Sequence, residues 1–91
     1  MQTLPSSLMV AIANYFAKKY HDGTGSFKDG EKESAIDLIR KECKALDFGW
    51  EVVPGLVVIH NSKEGSFWFD RHNQETGTFV KETDNPWREM D

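Results

Sequence analysis

Cysteine is nearly absent from this 91-residue sequence: Cys43 stands alone, so no disulfide can form within the chain. The sequence also has no apolar run of the length that a membrane-spanning helix needs. Its N-terminal residues lack the basic segment and the small-residue cleavage site of a secretory signal. Together these absences predict a cytoplasmic protein that works in a reducing compartment.

Motifs that would support catalysis or a cofactor are also scarce. No nucleophile turn of the Gly-x-Ser-x-Gly kind occurs, and "GTG" at 23–25 is not followed by the Gly-Lys-Ser/Thr of a phosphate-binding loop. The segment "DGTGSFKDGEKE", residues 22–33, aligns with a twelve-residue calcium loop, but Phe27 stands where that loop needs glycine. We therefore expect no cofactor, no bound metal and no catalytic residue.

One short segment keeps an enzyme as an alternative. Asp70, His72 and Asn73 resemble part of a metal-dependent nuclease hairpin, but no helix with a second histidine follows them. A polar turn, in which these side chains hydrogen-bond to the backbone, accounts better for the three residues. Because of the partial resemblance, a small metal-assisted enzyme is kept as an alternative to the favoured non-catalytic function.

Charge is distributed unevenly along the chain. Residues 1–46 hold seven Lys or Arg and six Asp or Glu, whereas residues 47–91 hold four and nine. The acidic half repels nucleic-acid phosphates and favours a partner with a basic surface. An ordinary solubilising excess of acid is the simpler interpretation of the same charges.

The first half of the chain carries the spacing of two amphipathic helices, over residues 5–21 and 30–46. Gly23 suits the end of the first helix. Asp29 is the predicted N-cap of the second, and Gly49 is its predicted stop. The apolar stripes comprise Leu8, Met9, Ile12, Tyr15, Phe16 and Tyr20 in the first helix, and Ala35, Ile36, Ile39, Cys43 and Leu46 in the second.

From Trp50 onward the apolar period changes to two, and β-branched and aromatic residues form short runs between turn signals. Pro54 and Gly55 suit the centre of a type II turn. Short connections favour antiparallel neighbours. The predicted fold is α+β: two N-terminal helices packed on one face of a three- or four-stranded antiparallel β-meander, in a single domain over 1–91. The predicted strands lie near 50–53, 56–60, 66–70 and 78–82, and an acidic tail occupies 83–91.

The unbroken aromatic triplet Phe67, Trp68 and Phe69 raises a question about the two faces of this sheet. Neighbouring side chains of a strand point to opposite faces, so one core cannot bury all three. Phe67 and Phe69 are predicted to pack against the helices. The opposite face would then hold an apolar patch with a polar rim, centred on Trp68 and completed by Val57, Ile59 and Val80.

A patch of this kind favours a protein interface, because tryptophan is a frequent energetic anchor at the centre of interfaces. We expect a non-catalytic protein-binding domain, such as a small inhibitor, an immunity or accessory protein, or a phage-encoded antagonist of a host protein. A second copy of the chain is one candidate partner. The predicted contact residues are Trp68, Val57, Ile59, Val80, Asp70, Glu82, Asp84 and Trp87.

Two alternatives remain open for the same patch. The C-terminal tail could cross the second face of the sheet, with Trp87 as the covering side chain. Alternatively, the aromatic face could stack the bases of single-stranded nucleic acid, with Lys18, Lys19, Lys28 and Lys44 supplying a basic strip. The acidic sheet half argues against this second alternative.

Overall fold

The computed structural model of the protein describes residues 4–62 and 64–81. Two helices precede a four-stranded antiparallel sheet whose strands are ordered β1-β2-β3-β4. The predicted α+β arrangement is confirmed, and each helix and strand begins and ends within two residues of its predicted range. The elements are α1 Ser6–Lys19, α2 Glu31–Leu46, β1 Gly49–Val53, β2 Leu56–Ser62, β3 Gly65–Phe69 and β4 Thr78–Lys81.

The ends of α2 differ from prediction at both sides. Gly30, and not Asp29, is the N-cap residue, and its φ of 81° is a left-handed conformation that glycine adopts without a steric cost. At the other end the left-handed residue is Asp47, with φ of 58°. The N–H of Phe48 then donates to the carbonyl of Cys43 at 2.8 Å, which ends the helix. Gly49 is therefore free to begin β1.

The helices pack on one face of the sheet and form the main core with it. Every residue of the buried cluster comes from one face of a helix or from one side of the two central strands. Burial of these side chains is the principal stabilising contribution to such a domain. The cluster comprises Leu8, Ala11, Ile12, Tyr15, Phe16, Ala35, Ile39, Cys43, Val57, Ile59, Phe67 and Phe69.

The register between β2 and β3 decides which side chains share a face. Val57 pairs with Phe69 and Ile59 pairs with Phe67, so all four side chains point toward the helices. Val57 and Ile59 have no solvent exposure. The prediction that they flank Trp68 is therefore wrong. Trp68 instead lies opposite Val58.

Candidate functional site

The candidate site is the face of the sheet turned away from the helices, which we call the second face. Its central row is set by the strand pairing, in which Glu51 lies opposite Val58, Val58 opposite Trp68, and Trp68 opposite Thr78. Side chains two residues along each strand share this face. The second face thus comprises Glu51, Val53, Leu56, Val58, His60, Ser66, Trp68, Thr78 and Val80.

Exposure varies strongly across the second face. Val58 and Ser66 are fully buried, although they point away from the helix-packed core. Trp68 and Val80 are half-buried, and Val53 is 38% exposed. The expected open patch is therefore only partly present: Val58 in the middle of the second face is shielded from solvent, and the apolar surface that remains accessible belongs to Trp68, Val80 and Val53.

Trp68 is held in place by a hydrogen bond within its own strand. Its indole N–H donates to the Ser66 hydroxyl oxygen over 2.9 Å. Ser66 is fully buried, so this bond supplies a partner that its hydroxyl could not obtain from water. The indole therefore has a defined orientation along β3, as an anchor side chain of an interface needs.

Asp70 has a structural role at the end of β3. Its carboxylate accepts the backbone N–H groups of His72 at 2.8 Å and Asn73 at 3.0 Å. The Asn73 side-chain amide in turn donates to the Trp68 carbonyl at 3.1 Å and to the Thr78 hydroxyl at 2.7 Å. These bonds form the polar turn that the sequence predicts, and they fix the β3–β4 loop beside the second face.

A second acidic residue of the second face lies on the edge strand β1. Glu51 of β1 lies next to Val58, and its carboxylate contacts the His60 imidazole at 3.0 Å. Both side chains are substantially exposed. Glu51 therefore places a carboxylate beside Val58, and Asp70 places one two residues along the chain from Trp68.

The structure brings three of the predicted contact residues together, namely Trp68, Val80 and Asp70. Val57 and Ile59 belong to the helix-packed core. The remaining three, Glu82, Asp84 and Trp87, lie outside the described residues. Val58 is the central residue of the second face that sequence reasoning missed, and only the pairing register could have identified it.

A second feature that sequence reasoning missed is a cavity of about 180 Å³ on the helix side of the sheet. It opens between the end of α1, the loop before α2 and the β1–β2 turn. Its walls combine aromatic and aliphatic side chains with two lysines. The lining residues are Tyr15, Lys19, Gly25, Phe27, Lys32, Ile36, Val52, Val53 and Pro54.

Cys43 is placed where its thiol is shielded from solvent and kept in the neutral form. It is fully buried in the core, and burial, with a smaller contribution from Glu42, raises its pKa to about 11. Because the thiolate is the reactive form, almost none is present at neutral pH. In the part of the chain that the structure describes, no three His, Cys, Asp or Glu side chains are grouped as metal ligands. Neither described helix is long and apolar enough to cross a membrane.

Comparisons of the chain with protein-family models, with curated proteins and with solved structures find no match. The function must therefore be inferred from the chemistry of the second face and of the cavity.

Proposed function

We propose that the protein is a non-catalytic domain that binds another protein through the second face, with Trp68 as its apolar anchor. The observation that carries the proposal is the half-exposed pair formed by Trp68 and Val80. Trp68 lies opposite Thr78, and Val80 lies opposite Ser66, so the two apolar side chains are diagonal neighbours on β3 and β4. An oriented tryptophan beside a second apolar residue is typical of an interface centre.

Charge supports a partner with a basic surface. Glu51 and Asp70 border the second face, and the half of the chain from residue 47 onward holds nine acidic and four basic residues. Complementary charge around an apolar centre raises the association rate and orients the partner. Glu82, Asp84 and Trp87, which follow β4 in the sequence, complete the proposed contact set.

The biological role that we attach to this binding is an analogy from size and charge. Small acidic domains without catalytic groups serve as inhibitors, immunity proteins or accessory subunits, including phage-encoded antagonists of host proteins. We place this activity in the cytoplasm, where the single thiol would remain reduced.

The first experiment measures the solution mass of the wild type and of Trp68→Ala by light scattering at several concentrations. A wild-type dimer that becomes a monomer in Trp68→Ala would identify the partner as a second copy of the chain. Monomers in both cases would direct the search to a different protein. Circular dichroism of both proteins checks that the fold persists, and Val80→Ser serves as a second variant on the same face.

Affinity capture then tests a foreign partner. Wild type, Trp68→Ala and Leu38→Ala are immobilised, the last as a control because Leu38 is 47% exposed on α2. The proposal predicts a protein that wild type and Leu38→Ala retain, that Trp68→Ala loses, and that binds again when purified. Equal retention by all three proteins contradicts it. Retention of an oligonucleotide that falls steeply with salt would instead favour nucleic-acid stacking.

A further inference from the structure

We infer that the cavity on the helix side of the sheet binds a small carboxylate with a single-ring or branched aliphatic body. Its two lysines would contact the carboxylate, and its apolar wall would hold the body of the ligand. Most of this site lies on the opposite side of the sheet from the second face, because Val52, which lines it, lies opposite Val57 and so points toward the helices. The two sites share only Val53, at the end of β1.

The first argument is the state of the two lysines. Neighbouring Lys18 forms an ion pair with Glu31 at 3.6 Å. Within the described part of the chain, neither Lys19 nor Lys32 has such a carboxylate partner; the Lys19 ammonium lies 5.8 Å from the centre of the Tyr20 ring. Two lysines without a carboxylate partner among the described residues, both lining one small cavity, make its surroundings positive and attract an anion.

The second argument is an unused hydrogen-bonding group at the cavity. Tyr15 lines the cavity, and its hydroxyl makes no hydrogen bond to any residue that the structure describes, so it is available to a ligand. Burial, with a smaller contribution from Tyr20, raises the Tyr15 pKa, so the hydroxyl stays protonated and can donate a hydrogen bond to an anion.

Size and lining define the rest of the ligand. Phe27, Ile36 and Val52 give the cavity an apolar wall. An apolar cavity of about 150 Å³ accepts benzene, so about 180 Å³ suits one ring with a carboxylate at the open side. Ligand sites typically pair such apolar walls with a few polar groups.

The test is an NMR titration of the full-length protein with sodium benzoate, recorded on backbone amides at constant ionic strength. Benzamide, which has nearly the same shape but no charge, is the matched ligand. We expect saturable shifts at residues 15, 25, 27, 36 and 52, with a dissociation constant in the millimolar range or below. Benzamide should bind about tenfold more weakly, because it lacks the charged hydrogen bonds.

Three variants identify the groups that bind the carboxylate. Lys32→Gln and Tyr15→Phe should each weaken benzoate binding several-fold, whereas Lys44→Gln, which removes the same charge elsewhere on α2, should leave it unchanged. The midpoint of urea unfolding of Tyr15→Phe should equal that of the wild type, because the hydroxyl has no partner among the described residues to lose. Absence of saturable shifts at the cavity, equal binding of benzamide, or equal weakening by Lys44→Gln and Lys32→Gln would each overturn the inference.

Discussion

Val58 and Trp68 lie directly opposite each other on β2 and β3, on the side of the sheet away from the helices. Val58 is nevertheless as inaccessible to solvent as Val57, its neighbour in sequence, which packs in the helix-covered core. Two neighbouring valines that point to opposite faces of the sheet are therefore equally buried. This relationship means that both faces of the sheet contribute to the free energy of unfolding.

Alanine substitutions at these two valines test whether the second face is covered in solution. Val57→Ala should reduce the free energy of unfolding by about 2 kcal/mol, because two buried methyl groups are lost and a small cavity remains. Val58→Ala should cost a similar amount, because Val58 is equally buried. Urea unfolding of both variants provides the measurement. A loss below about 0.5 kcal/mol for Val58→Ala alone would show that the second face is open to water.

The sequence was sufficient to predict the helices and strands, and to predict that the triplet Phe67, Trp68 and Phe69 is divided between the two faces of the sheet. Both predictions rest on periodicity and turn residues, which are local signals. It could not relate one strand to the next. Alternation within β2 separates Val57 from Val58, but only the pairing with Phe69 shows that Val57 shares the helix-packed face. Which residues of two paired strands share a face depends on tertiary pairing, and for this reason the predicted face of Val57 and Ile59 is wrong.

The cavity was beyond sequence reasoning for a related reason. Lys19 ends one helix, Lys32 lies in the first turn of the next, and Val52 belongs to a strand. No local pattern connects positions so far apart, and a lysine in the last turn of a helix is already explained by the helix dipole. The proposed contacts of Lys19 therefore follow only from the packing of three elements.

Two glycines with positive φ provide a matched test of packing around Phe69. Gly77 (φ 72°) and Gly55 (φ 78°) both require the left-handed conformation, in which alanine costs about 1 kcal/mol. A Cβ at Gly77 would also lie 2.5 Å from the Phe69 ring, whereas one at Gly55 would meet nothing within 4 Å. Gly77→Ala should therefore lose about 1 to 3 kcal/mol more than Gly55→Ala in urea unfolding. Equal losses would mean that the β3–β4 loop moves away from Phe69 without cost.

Stability should depend on the ionisation of Cys43 at alkaline pH. Burial raises the pKa of this thiol from 9.0 to about 11, so the folded protein favours the neutral form. The neutral thiol's contribution is fully present below pH 9 and is lost as the pH rises from about 9 to about 11, because the unfolded chain releases its proton first. At pH 10 the expected loss is about 1 kcal/mol relative to pH 8.

Cys43→Ala isolates this contribution. The variant loses the same packing contribution at every pH. The wild type is therefore more stable than the variant at pH 8. This difference in the free energy of unfolding, measured with urea, should shrink by pH 10 by the amount that the neutral thiol contributes. Burial also raises the pKa of Tyr15, but both proteins contain Tyr15 and its effect cancels in the difference. A difference that stays constant with pH would show that the Cys43 thiol ionises as readily in the folded protein as in the unfolded chain. In that case the thiol should also react with iodoacetamide in the folded protein, which a buried neutral thiol resists.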